Sequence, residues 1–465
     1  MLFSSIPFLY YFLPIFFLIY FVVPRPFKNF TLMLFSLIFY GCGEPKYLIL
    51  MSVSILLGYG GGLLVGRVRS RSMKRLWLVV SLAGLLGLLG YFKYADFFVS
   101  NFNALTGLSV SLLRVTLPIG ISFYTFQILS YVVDVYRADT PAQKNIITFA
   151  AYVSMFPQLI AGPIVRYTDV ERELQTRTHS VSLAYEGMRR FLVGLSKKIL
   201  LANLFAELCD VFRASDEKSV LFHWLYAVSY TMLIYFDFSG YSDMGIGLGK
   251  IMGFRFPENF NYPYLSKSVT EFWRRWHMTL GTWFRDYVYI PLGGNRVSRP
   301  RWFFNIAVVW LLTGLWHGAA WNFVLWGVLF AVCLVLEKLF LGAWLKKLPA
   351  LFTHAIVMLV IMLSFVLFNA SSLSQAVSDM AGMFGVGGVP LASEQSLYCL
   401  RSYARLLILG AVGCTPYPAR LARALAEKLG NVWRVVEMLG LAALLLVCTA
   451  FLVDGSFNPF LYFRF

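Results

Sequence analysis

Charge is what this chain has least of, acidic charge above all. Forty Lys and Arg face twenty-three Asp and Glu in 465 residues, and charged side chains make up only 14% of the total. A soluble globular protein carries about 25%, so the groups needed to solvate an ordinary surface are lacking. Paired cysteines are lacking too. Cys42, Cys209, Cys333, Cys399, Cys414 and Cys448 are scattered, mostly inside apolar runs, with no CxxC, which predicts small buried hydrophobes rather than disulfides or metal ligands. There is no dense His/Cys/Asp cluster, so no metal is expected. The glycines of GYGGG (58–62) and MGIGLGK (244–250) do not follow a strand with dinucleotide-binding spacing, and they read as helix-packing or helix-breaking positions. The N-terminus, MLFSSIPFLYYFLPIFFLIYFVV, has neither a basic flank nor a small-residue cleavage site. It reads as a retained span rather than a signal peptide.

What is abundant is apolar surface: 59% hydrophobic residues and 17% aromatics. A bilayer core needs about 20 apolar residues per helix. Windows approaching that lie near 6–23, 30–41, 46–66, 76–92, 119–136, 145–165, 219–236, 302–316, 319–341, 352–369, 401–413 and 436–453. Several are short or broken by Pro and Gly, which gives ten to twelve spans in an all-α polytopic membrane protein. The positive surplus of +17 sits in short loops between these runs, so it reads as topology signal rather than a nucleic-acid footprint. With RVRSRSMKR (67–75), Arg285–Arg301, Lys338–Lys347 and Arg420–Arg434 inside, and the weakly charged 371–400 outside, the last third alternates consistently. The C-terminus is then expected to end on the extracytoplasmic side.

Residues 166–198 and 250–301 mix basic, acidic and apolar positions and suggest amphipathic or re-entrant helices at the cytoplasmic interface. No repeat or linker divides the chain. A single membrane domain over 1–465 is expected, with 454–465 as a tail that folds back.

Five histidines occur, and His317 stands apart in LLTGLWHGAAWNFVLWG (311–327), between two apolar runs. An ionisable group at membrane depth marks a functional site by default; the other reading is a hydrogen-bonded packing residue at a helix hairpin. In FWRRWHMTLGTWFRDYVYIPLGGNR (272–296), helical spacing places Trp273, Trp276, His277 and Leu280 on one face. Arg274, Arg275, Arg285 and Arg296 lie in the same stretch and could hold an anionic donor, since guanidinium suits phosphate. An interfacial anchor helix explains the same pattern. Asp237 and Asp243 in YFDFSGYSDMG could bind ions or protons, or pair with an arginine. The tail after Asp454, GSFNPFLYFRF, carries Tyr462 among phenylalanines that are a liability in water.

At these motifs the chain resembles the membrane-bound O-acyltransferase family. The likeness is strongest to the bacterial branch that O-acetylates alginate or peptidoglycan or D-alanylates teichoic acids. It runs through LPIGISFYTFQILSYVVDVYR (117–137), FPQLIAGPIVRY (156–167), YFDFSGYSDMGIGLG (235–249), WRRWH and GLWHG. The resemblance implies a ring of helices around a central tunnel. It makes His317 the essential histidine and His277 the second active-site position. It implies a cytoplasmic acyl donor, acetyl-CoA in the acetylating members, and a polysaccharide acceptor outside the bacterial inner membrane. It also implies a partner resembling an SGNH-type serine hydrolase. FLYFRF (460–465) is similar to the Phe-x-Tyr-x-x-Phe end of the small companion subunit in D-alanylation, which makes Tyr462 a transient acyl carrier. Two rivals stay open: D-alanine transfer from a carrier protein, and a polysaccharide exporter or ion-coupled transporter using Asp237 and Asp243.

Overall fold

Long apolar segments leave the backbone one economical way to satisfy its own N–H and C=O groups, the helix. A computed structural model of the chain describes residues 1–455, and every regular element among them is helical, with no strand. Tyr462 lies outside the described residues. The chain forms two compact units, Met1–Phe191 with Tyr241–Pro257, and Leu192–Gly240 with Glu258–Phe465.

The first unit contains α1 (Leu13–Val22), α2 (Lys28–Gly41), α3 (Leu48–Arg67), α4 (Arg71–Leu89), α5 (Ala95–Thr106), α6 (Ile121–Arg137), α7 (Ile146–Ser154), α8 (Phe156–Leu159) and α9 (Tyr167–Gln175). It also takes α10 (Val181–Ser196) as far as Phe191. The glycine run of α3 is a packing surface. A Cβ on Gly58 would collide with Ile128, on Gly61 with Ser81 and on Gly62 with Tyr131, so α3 closes directly onto α4 and α6. The second glycine motif works the same way, with Gly247 against the Gly187 carbonyl at 2.6 Å from a built Cβ. Asp243 pairs with Arg190 at 2.9 Å. Phe156 meets Phe12 and Phe16 edge-on, with ring centres 5.3 and 5.1 Å apart.

The second unit contains α11 (Asn203–Ala214), the part of α12 (Val220–Ile251) up to Gly240, α13 (Val269–Arg275), α14 (Met278–Phe284), α15 (Arg299–His317) and α16 (Trp321–Leu336). It continues through α17 (Gly342–Leu345), α18 (Ala350–Asn369), α19 (Leu373–Met383), α20 (Glu394–Gly413), α21 (Tyr417–Leu429) and α22 (Asn431–Asp454). Asp237 forms a fully buried ion pair with Lys198 at 2.6 Å.

Among the described residues, five helices are long and apolar enough to cross a membrane: Pro45–Arg67, Arg71–Thr106, Trp321–Leu345, Ala350–Asn369 and Asn431–Asp454. Glu394–Gly413 and Tyr417–Leu429 form a further pair bent by 70°. The other apolar windows are helical as well, but shorter or more polar. α7 has nine residues, and the 17-residue α6 is buried over most of its length; short pieces are tolerated where protein surrounds them. In 166–198 the amphipathic expectation holds for α9, whose Tyr167, Val170 and Leu174 are buried at spacings of three and four. In 250–301 the structure departs from a continuous helix and gives short helices joined by turns. All six cysteines are free; four are buried, but Cys42 is exposed and Cys333 half-buried, at odds with a uniformly buried set.

Candidate active site

The WRRWH segment is not continuous helix: it holds the end of α13 and the break before α14. α13 begins where the Ser268 hydroxyl accepts the Glu271 N–H at 3.0 Å, and the Glu337 carboxylate accepts the N–H groups of Val269 and Thr270 at 2.7 and 3.2 Å. It stops at Arg275. Trp276 is extended and His277 takes φ 44°, ψ 51°, after which α14 begins at Met278. The shared face of Trp273, Trp276, His277 and Leu280 is therefore interrupted. A left-handed backbone at a non-glycine residue costs about 1–3 kcal/mol and clusters at functional sites.

Asn259 holds the break in place. Its carbonyl accepts the Met278 N–H at 2.9 Å, and its side-chain Oδ1 lies 3.0 Å from His277 Nδ1 and 2.9 Å from the Thr279 hydroxyl. An amide oxygen only accepts, so Nδ1 carries the imidazole proton and Nε2 is left with its lone pair. His277 Nε2 is buried and has no hydrogen-bond partner among the described residues. Burial holds this imidazole down to about 3, so it stays neutral at physiological pH. Phe238 meets the ring edge-on at 4.7 Å.

His317 is the last residue of α15 and is 6% exposed. The α15–α16 hairpin that carries it is packed backbone to backbone: a Cβ on Gly314 would run into the Phe323 carbonyl, and one on Gly327 into the Trp310 carbonyl. Trp326 and Phe368 lie edge-on to the His317 ring, at 5.1 and 5.2 Å. Trp316 bridges the two imidazoles, with ring centres 5.1 Å from His317 and 5.8 Å from His277.

A cavity of about 600 Å³ opens against this pair of helices. Its wall includes Trp273, Arg274, His277, Arg285, Thr313 and Lys338, and no carboxylate. Thr313 sits one turn before His317. Arg274 has no ion-pair partner among the described residues, whereas Arg285 pairs with Asp286 at 2.7 Å. Lys338 lies 4.5 Å from the Trp302 ring centre. Three of the described sequence candidates are not in this wall, and His317 itself approaches it only through Thr313 on the same helix. Arg275 turns to Glu271 at 2.8 Å and to the Asn261 carbonyl at 3.2 Å, and Arg296 is exposed and outside the cavity wall. Neither Asn259 nor Lys338 has a distinctive sequence signature. Asn259 stands in the uninformative loop PENFNY, and Lys338 carried only topology signal.

Comparison with known proteins decides what this arrangement belongs to. The membrane-bound O-acyltransferase pattern matches residues 22–377. The chain belongs to the membrane-bound O-acyltransferase family. As a family member it is an O-acyltransferase of the membrane. It is 40% identical to a probable alginate O-acetylase of Azotobacter vinelandii, with both chains covered in full. It is 36% identical to the peptidoglycan O-acetyltransferase of Helicobacter pylori over 84% of this chain and 81% of that one. A teichoic acid D-alanyltransferase of Bacillus subtilis is 30% identical over 54% of this chain and 67% of its own. A membrane-bound acyltransferase has an acyl donor to accommodate, and this cavity has in its wall His277 and Thr313, the latter one turn before His317.

Proposed function

We propose that the chain transfers an acetyl group from cytoplasmic acetyl-CoA toward the O-acetylation of an exported or cell-surface polysaccharide of the alginate or peptidoglycan type. The observation that carries this reading is the cavity, cationic and free of carboxylates, with the unpartnered Nε2 of His277 in its wall. Full-length likeness to a probable alginate O-acetylase supports acetyl over D-alanyl, since the D-alanylating relative matches only about half of the chain. An ion-coupled transporter loses its coupling groups, because Asp237 and Asp243 are both held in ion pairs.

In this reading Arg274, Arg285 and Lys338 hold the donor phosphates, and the thioester reaches the two histidines. His317 takes the proton of an attacking hydroxyl as its oxygen bonds to the acetyl carbon. The carbon–sulfur bond breaks, and CoA leaves as the thiol when its sulfur takes that proton back from His317, which regenerates the base. Such a general base contributes about 10²–10⁴ in rate. His277 orients the thioester. The hydroxyl is that of Tyr462, which passes the acetyl group to an SGNH-type partner on the extracytoplasmic side of the bacterial inner membrane. Arg275 holds the α13 break, and Arg296 meets donor only outside the cavity.

The test is to offer the purified full chain acetyl-CoA labelled in the acetyl group and, separately, a D-alanyl carrier protein. Consumption of acetyl-CoA alone is expected. Consumption of the carrier thioester alone would reassign the donor.

A further inference from the structure

In the first unit, far along the sequence from either catalytic histidine, three basic side chains gather on one tyrosine. Lys28 Nζ lies 4.6 Å from the Tyr20 ring centre, the Arg177 guanidinium 5.7 Å, and the His179 ring 5.7 Å. They are fixed rather than splayed. Lys28 donates to the Tyr20 carbonyl at 2.6 Å, Arg177 donates to Asn29 Oδ1 at 2.7 Å, and His179 Nε2 is 3.3 Å from the Tyr20 hydroxyl. Arg25 adds a third cation, whose charge is felt by both Lys28 and His179.

No carboxylate pairs with any of these four among the described residues. Lys28 is only 8% exposed, and a buried cation without a counter-ion is costly. The group also repels itself. After burial, Arg177 and Arg25 are what hold the Lys28 ammonium below its ordinary value, and Lys28 and Arg177 act on His179 in the same sense. An anion placed against the cluster would relieve both penalties. The surroundings say which kind: Phe21, Val22 and Phe27 are 46%, 77% and 58% exposed beside it. A free phosphate has no use for bare phenylalanine and valine, whereas acyl chains cover them. Arg177 and His179 fall in 166–198, whose pattern suggests the cytoplasmic interface. The two apolar windows 30–41 and 46–66 between Lys28 and the basic loop 67–75 put Arg25 and Lys28 on the same side as that loop.

We propose that Arg25, Lys28, Arg177 and His179 bind the phosphate headgroup of an anionic phospholipid of the cytoplasmic leaflet, with its chains along Phe21, Val22 and Phe27. The site is independent of the acyl-transfer reading. Native mass spectrometry of the purified full chain, titrated with phosphatidylglycerol or phosphatidylcholine, tests it. Arg25→Gln with His179→Gln, both at exposed positions, removes one charge and one imidazole hydrogen-bonding group. This pair should weaken phosphatidylglycerol binding at least about fivefold and leave phosphatidylcholine unchanged. Lys28→Met, which keeps the apolar stem, should do the same. Arg71→Gln with Arg75→Gln, in the other basic loop, should have no such effect. Undiminished phosphatidylglycerol binding in both cluster variants would overturn the site. Displacement of the lipid by millimolar inorganic phosphate would overturn the lipid assignment in favour of a soluble anion.

Discussion

The side-chain oxygen of Asn259 lies 3.0 Å from Nδ1 of His277, and it accepts the Thr279 hydroxyl as well. One amide thus sets the tautomer of the imidazole and anchors the left-handed residue between α13 and α14. Asn259→Asp puts a carboxylate against that ring, which favours imidazolium. The expected outcome is an acid ionisation that enters the working pH range, with kcat falling as pH is lowered. Asn259→Ala should lose activity without gaining that limb. A pH–rate profile of the two variants reads the difference.

His277 also links folding to pH. Its imidazole is held down to about 3 by burial, against about 6.5 when unfolded. A histidine kept neutral by the fold contributes its full share of stability above the unfolded value. That share is lost as pH falls from about 6.5 toward 3, because the unfolded chain then binds a proton that the native ring refuses. Thermal denaturation in detergent should show Tm falling through that window, and less steeply in His277→Gln.

Replacing His317 by Ala should lower acyl transfer by about 10²–10⁴, with the protein still expressed and folded. Wild-type turnover in that variant would remove the imidazole from the mechanism.

The arginines separate by where they point. Arg274→Ala and Lys338→Ala should raise KM for the donor and leave Tm nearly unchanged. Arg275→Ala, which removes the contacts to Glu271 and the Asn261 carbonyl, should lower Tm instead. Donor titrations beside melting curves distinguish the two effects.

Gly314→Ala places a methyl group against the Phe323 carbonyl. Overpacking of this kind costs about 1–3 kcal/mol, and a lower Tm together with reduced activity is expected, since the same hairpin carries His317.

The helical class and most helix positions were legible because apolar runs, basic loops and glycines each have a direct physical meaning in a bilayer. GLWHG announced a buried histidine at a hairpin, and the structure explains the glycine before it as a backbone contact. The break at His277 was not legible. FWRRWHMTL contains neither Pro nor Gly, so local propensity favours an unbroken helix, and the interruption comes from Asn259, eighteen residues away. Lys338 stayed hidden for a related reason: a positive charge after an apolar run has the same sequence signature whether it meets cytoplasm or a cavity wall.

Site occupancy by the donor is most directly read by protection from alkylation. Met278→Cys and Thr313→Cys place thiols in the cavity wall, and mass spectrometry of the peptides separates them from the native cysteines. The expected result is that saturating acetyl-CoA slows maleimide labelling at both positions and leaves the exposed Cys42 unaffected. Equal labelling with and without acetyl-CoA at both cavity positions would contradict the assignment of this cavity to the acyl donor.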